Sequence, residues 1–242
     1  MTPKTKQLIL KAMKYCKESD RKTFILNSLY MIENKVYNMD CIEGMKMYPD
    51  KYFDLAIVDP PYGIGRSGHN GVIAKNPKHN WKAHTWKDWD NETPTSEYWN
   101  ELFRVSKNQI VWGANYFTEY LPASMGWIFW DKGQDLTMSD GELAFSSFDK
   151  ALRRIKINRG QLMVEGGTQH PTQKPIKLYD FCFQFAKLEQ GAKVLDTHLG
   201  SGSSRIAAHK AKLSFTGFEI DKEYYDASIK RYELAIQQQT LF

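Results

Sequence analysis

The sequence predicts an α/β fold built on a doubly wound, mostly parallel sheet, and three observations carry that prediction. Short apolar runs that end in a polar residue alternate with segments of helical period. One run is followed by the glycine turn Gly200-Ser201-Gly202, and another by Asp59-Pro60-Pro61-Tyr62. Alternation of strand and helix gives a parallel sheet covered on both faces, with ligands at the carboxyl ends of its strands. The chain of 242 residues, 42% apolar and 14% aromatic, holds material for one core and suits one domain better than two.

In chain order, residues 1–33 read as a basic helical extension, with Leu8, Ala12 and Tyr15 at helical spacing. Residues 34–242 read as a single domain. It opens with a strand over 35–39, a short helix over 42–47 and a strand over 53–58, the pattern of a right-handed parallel unit. Residues 63–91 are glycine-rich, basic and without period, and loops of such length are usually functional. A helix over 95–105, where Tyr98, Leu102 and Val105 share a face, precedes strands at 109–112, 127–130 and 142–145. The proline-bounded turn 170–175 feeds a helix over 176–189, which Gly191 is expected to end. A strand at Val194 and Leu195, the glycine turn, an alanine-bearing helix and a strand over 214–220 follow, and Asp221 caps the last helix.

The net charge is only +5, but the basic residues cluster. Arg66, Lys75, Lys78, Lys82 and Lys87 fall in the 63–91 segment, interleaved with Trp81 and Trp86. Lys150, Arg153, Arg154, Lys156 and Arg159 fall in 146–169. No acid occurs between Gly63 and Lys87 or between Lys150 and Arg159, and both runs are candidate contacts to a polyanion, with a solvated face as the plain alternative. Cys16, Cys41 and Cys182 show no disulfide or zinc spacing, so no metal is expected and a reducing cytoplasm is the natural compartment. No signal peptide and no stretch long enough to cross a bilayer is read, so no membrane partner is expected.

The glycine turn brings backbone close to a ligand and opens a helix whose free amides favour electron-rich groups. Asp196 ends the strand before it, and Glu219 ends the next strand, where an acid accepts both hydroxyls of a ribose. No positive charge sits in the turn to meet a pyrophosphate, and no lysine follows the glycines as in a P-loop. S-adenosylmethionine, which has the ribose and no phosphates, fits better than a dinucleotide or ATP.

Asp59-Pro60-Pro61-Tyr62 lies at the end of a buried strand, and its two prolines stiffen the backbone and leave carbonyls as rigid acceptors. Taken alone, this is a rigid turn with a capping aspartate. Coupled to an adenosine site, it suits methylation of a planar amine: the Asp59 carboxylate and Pro60 carbonyl each accept one amine hydrogen, which aims the lone pair. Tyr62 is placed to stack on the ring. A base inside a duplex must be flipped out to reach such a pocket, and the basic runs are placed to hold the phosphates. No Pro-Cys dipeptide exists, so the covalent route to a pyrimidine ring carbon lacks its thiolate.

These blocks resemble the β-class DNA amino-methyltransferases of the class I S-adenosylmethionine-dependent fold. The resemblance rests on DPPY at 59–62, HPTQKP at 170–175, VLDTHLGSGSS at 194–204 and GFEID at 217–221, and it spans the chain from about Asn34 onward. It implies a seven-stranded Rossmann-like methyltransferase sheet, circularly permuted so that the catalytic block precedes the cofactor block. It also implies a restriction-modification role in which the adenine N6 amine of DNA is methylated, with cytosine N4 as the nearest rival. A catalytically silent nucleic-acid-binding subunit is the alternative from another class. By the same resemblance Asp40 sits near the cofactor's adenine, Thr172 and Lys174 contact its methionine end, and Glu219 holds its ribose. Gly200, Ser201 and Gly202 line the cofactor turn. His198 stands where the family usually has phenylalanine, and Thr197 where it has proline. No large recognition domain is present, which leaves 63–91, 146–169 or a second copy of the chain in a homodimer to supply specificity.

Overall fold

The computed structural model describes residues 33–65, 90–133, 139–158, 160–167, 170 and 172–239. The basic helical extension, most of the 63–91 segment and Arg159 therefore lie outside the described residues.

Among the described residues, eight strands form one sheet: β1 (Asn34–Tyr37), β2 (Phe53–Val58), β3 (Ser106–Trp112), β4 (Ile128–Asp131), β5 (Gly141–Ser146), β6 (Arg153–Lys156), β7 (Lys193–Asp196) and β8 (Ser214–Phe218). Their spatial order is β1-β8-β7-β2-β3-β5-β4-β6. β5 runs antiparallel to β3 and β4, and the other pairings are parallel. One expectation is corrected here. There are eight strands where seven were expected, because Arg153–Lys156, read as a basic contact segment, pairs with β4 at the sheet edge. β1 and β2 point the same way, with β8 and β7 inserted between them.

The β2 sequence FDLAIV is apolar at nearly every position because both faces are covered. Leu55 and Ile57 face one core, built with Leu178 and Cys182 of α4 (Ile176–Ala186) and Ile206 of α5 (Ser203–Lys210). Ala56 and Val58 face the other, which α1 (Cys41–Lys46) and α2 (Ser96–Val105) close with Met45, Trp99 and Leu102. Period-two side chains on a strand sandwiched by period-3.6 helices account for both clusters. The remaining helices are a short α3 (Gln161–Val164) and the terminal α6 (Lys222–Gln239), whose first turn is capped by Asp221 accepting from Glu223 and Tyr224 N–H at 2.9 and 3.1 Å.

α4 ends earlier than expected. It stops at Ala186 with Lys187 left-handed at φ 54°, the Lys187 N–H on Gln184 O and the Leu188 N–H on Phe183 O. Leu188 packs on the core, so a half-buried hydrophobic residue just past the end closes the helix in place of a glycine. Gly191 serves the following turn instead.

Candidate active site

A cavity of about 270 Å³ opens at the carboxyl ends of β2, β7 and β8 and beside the turn that precedes α4. Asp59 and Pro61 line it together with His198, Gly200, Ser201 and Glu219, and Thr172 and Lys174 also form part of its wall. The two sites inferred from separate stretches of sequence therefore share one space.

At the glycine-turn end, Asp196 is buried and acts as a brace. Its Oδ1 accepts the His198 N–H at 3.0 Å and its Oδ2 the Ser204 hydroxyl at 2.5 Å. Burial pushes its carboxyl up to about 7, against the pull of those two donors. Glu219 ties the turn to the next strand: Oε2 accepts the Gly200 N–H at 2.8 Å and Oε1 the Asp221 N–H at 2.9 Å. A carboxylate oxygen can take more than one donor, so Glu219 keeps capacity for a ribose hydroxyl while holding its wall in place. His198 contacts Thr197 Oγ1 through Nδ1 at 2.9 Å, and Thr197 in turn meets the Tyr98 hydroxyl at 2.8 Å. Burial pushes the imidazole down to about 4, so it faces the cavity uncharged at neutral pH.

Asp40, Asp196 and Gly202 do not line the cavity. Asp40 is exposed and caps α1, accepting from Ile42 and Glu43 N–H at 2.9 and 3.0 Å. Gly202, left-handed at φ 73°, is the N-cap of α5. Thr172 lines the cavity and lies 3.1 Å from His170 Nδ1. The cation that the turn lacks in sequence is supplied from α6: Arg231 donates to Ser201 O at 2.9 Å and to Ser203 Oγ at 2.8 Å. It braces the turn from outside the cavity wall, where burial holds its pKa below the usual arginine value.

At the other end, Asp59 is held by two donors. The Tyr62 hydroxyl donates to Oδ1 at 2.6 Å and the Lys174 ammonium donates to Oδ2. Burial raises the Asp59 pKa, and Lys174 opposes that rise. Lys174 has 2% of its side chain exposed and also lies 3.2 Å from Glu142 Oε2, while Lys132 meets Glu142 Oε1 at 2.9 Å. Its ammonium therefore sits against the catalytic carboxylate, on the wall of the cavity. Because β5 is antiparallel, its first residues reach the same edge as the last residues of β3 and β4; Trp112 pairs with Ala144, and Trp130 with Glu142.

The Tyr62 ring stacks on Tyr116 at 4.9 Å between centroids with 13° between planes. Gly113, left-handed at φ 66°, makes room for it: a Cβ there would fall 2.1 Å from Tyr62 Cε1. Asp90 fixes the rest of the turn, accepting the Tyr62 and Gly63 N–H at 2.7 and 3.2 Å. Pro60 is buried and outside the cavity wall.

Sequence reasoning missed Glu142, Lys132, Tyr116, Gly113, Asp90 and Arg231. Only Glu142, an acid opening the apolar run GELAFS, leaves a faint local signal.

Of the candidate polyanion contacts, Arg153, Arg154 and Lys156 are exposed on edge strand β6. Lys150 is engaged by the Phe185 carbonyl and the Phe148 and Phe185 rings. Arg66, Lys75, Lys78, Lys82, Lys87 and Arg159 lie outside the described residues. Among the described residues no cluster of metal-ligating side chains occurs, and no helix is long and apolar enough to cross a membrane. Cys41 and Cys182 are free, and burial pushes both thiols up, Cys41 to about 12.

The fold, with its cavity at the strand ends, matches that of Rossmann-like methyltransferase structures. The family model described as DNA methylase, that of the N6/N4 amino-methyltransferases, matches residues 111–230. It is 24% identical over 265 residues to the Type II methyltransferase M2.MboI of Moraxella bovis, covering 89% of each chain. It is also 24% identical to M.ScaI of Streptomyces caespitosus, covering 84% of this chain and 82% of the relative. Among solved structures, an M1.HpyAVI–SAM complex shares the fold with a TM-score of 0.54 at 19% identity, over 81% of this chain and 98% of that one. The PvuII DNA methyltransferase, described as cytosine-N4-specific, does so with a TM-score of 0.54 at 15% identity, over 84% and 90%.

Proposed function

We propose that the chain transfers a methyl group from S-adenosylmethionine to the N6 amine of an adenine flipped out of DNA. One observation carries this reading: Asp59 of the catalytic turn and Glu219 with Gly200 of the ribose turn face a common cavity. The residues present suit this cofactor. Glu219 retains acceptor capacity for ribose hydroxyls, His198 is uncharged, and the cation nearest the cavity, Lys174, is matched by two carboxylates, so nothing there favours a phosphate. When bound, S-adenosylmethionine supplies an electrophilic methyl carried on a sulfonium.

The chain's own residues do the rest. Asp59 accepts an amine hydrogen, orients the nitrogen lone pair and stabilises the positive charge that develops on it; it also stands ready to take the proton the amine sheds. Tyr116, half-exposed and backed by the Tyr62 ring, offers an aromatic face for the extruded base, whose extrusion costs about a few kcal/mol. Arg153, Arg154 and Lys156 form a basic edge suited to backbone phosphates, with the 63–91 run as a further candidate. The cytosine N4 reaction is the second reading, favoured by the fold shared with the PvuII enzyme.

Incubation with labelled S-adenosylmethionine and unmodified DNA, followed by nucleoside mass spectrometry, tests the proposal. N6-methyladenine is the expected product, and it should vanish in Asp59→Ala while cofactor binding persists. N4-methylcytosine would establish the second reading, and label in neither base would refute both.

A further inference from the structure

Both oxygens of Asp59 are already engaged, Oδ1 by Tyr62 and Oδ2 by Lys174. An amine gripped by that carboxylate must share or displace one of these donors. Lys174, with 2% of its side chain exposed, is nearly shut off from water, and a buried cation without a partner is costly. Glu142 offers the alternative. Its buried Oε2 already pairs with the ammonium at 3.2 Å and meets no other donor among the described residues. Its Oε1 is held by Lys132 at 2.9 Å, so the carboxylate is fixed with Oε2 turned to Lys174.

We propose that Glu142 is a positioning residue for methyl transfer: it receives the Lys174 ammonium when the target amine takes up Asp59, leaving that carboxylate ionised and open to the amine hydrogen. The inference rests on the reading of Asp59 given above. The charged and titratable groups facing this pair come from every neighbouring element: Asp59 and Tyr62 after β2, Lys132 after β4, Lys174 before α4 and Tyr179 on α4. Two carboxylates and two ammoniums balance formally, so removing either outer charge tips the set. The Glu142 charge raises the Asp59 pKa, whereas the Lys132 charge lowers that of Glu142.

The experiment follows kcat/KM for duplex DNA across pH, with the cofactor dissociation constant measured by calorimetry, in the wild type, Glu142→Gln and Lys132→Met. Glu142→Gln should lower kcat/KM about tenfold or more, leave cofactor affinity within about twofold, and move the acid limb to lower pH. Lys132→Met should move that limb the opposite way. In a Lys174→Met background, Glu142→Gln should change the plateau less than about twofold, because its effect runs through the lysine. An unchanged Glu142→Gln profile, or limbs displaced in the same direction by both variants, would overturn the proposal. Should Glu142→Gln fail to fold, Lys132→Met decides alone: an upward displacement supports the proposal and an unmoved limb overturns it. A wild-type protein that methylates no DNA overturns the reading of Asp59 itself, and the inference with it; a methylating wild type with an indifferent Glu142→Gln overturns the inference only.

Discussion

Gly113 shows how a residue without chemistry governs one with it. The Tyr62 ring lies where a side chain at 113 would be, and from there its hydroxyl reaches Asp59. Gly113→Ala adds a carbon 2.1 Å from a ring atom at a backbone angle of φ 66°. The strained backbone alone costs about 1–3 kcal/mol. The larger effect is on activity, since the ring must leave and its bond to Asp59 with it. Methyl transfer should fall more than about tenfold, with cofactor affinity within about twofold and a lower melting temperature. Full activity in this variant would show that the Tyr62 position is irrelevant. None of this is legible locally, because 113 and 62 are far apart in the chain and only the fold brings them together.

At the scale of elements, the sheet was legible where burial is two-sided. FDLAIV and KVLD are strands whatever surrounds them, and the turns after them announce themselves through Pro-Pro and Gly-x-Gly. β6 was not, since RRIK places Ile155 inward and leaves the flanking cations exposed, which in sequence resembles a loop. The clamp on Asp59 was equally hidden: Lys174 and Asp59 are 115 positions apart, and no periodicity links them. Recognising β6 as an edge strand sharpens its role. Its cations stand on a hydrogen-bonded ladder parallel to β4, with Lys156 paired to Asp131 at the edge that carries the site. If Arg153 and Arg154 each neutralise a DNA phosphate, replacing both by glutamate should flatten the plot of log affinity against log salt by about 2 units of slope. A slope that stays at the wild-type value would leave this strand outside the DNA interface.

Across the whole molecule, the buried groups of the cofactor turn tune stability against pH in opposite senses. The Asp196 carboxyl is raised to about 7 in the folded state, so the folded protein holds the extra proton and this contribution declines as pH rises from about 4 to 7. The His198 imidazole is lowered to about 4, so its contribution is present above about 6.5 and is lost as pH falls toward 4. The two offset each other over most of that interval. His198→Phe, which installs the residue usual in the family, removes only the second. The variant should therefore gain on the wild type by about 1–2 kcal/mol between pH 7.5 and pH 5, measured by urea unfolding. An identical difference at both pH values would mean that the imidazole is not buried as a neutral group.

The reversed direction of β5 has a consequence for how this enzyme tolerates change. A forward-running strand hands its last residue to the rim and then wanders off into a loop, where lengths drift cheaply. A backward-running one delivers its opening residue there, and Glu142 is already locked opposite Trp130. Slipping the ladder by a single position would turn the carboxylate to the opposite side of the sheet. Natural drift and laboratory grafting alike should thus find the chain between Lys132 and β5 permissive in composition but intolerant of any edit that shifts the pairing frame.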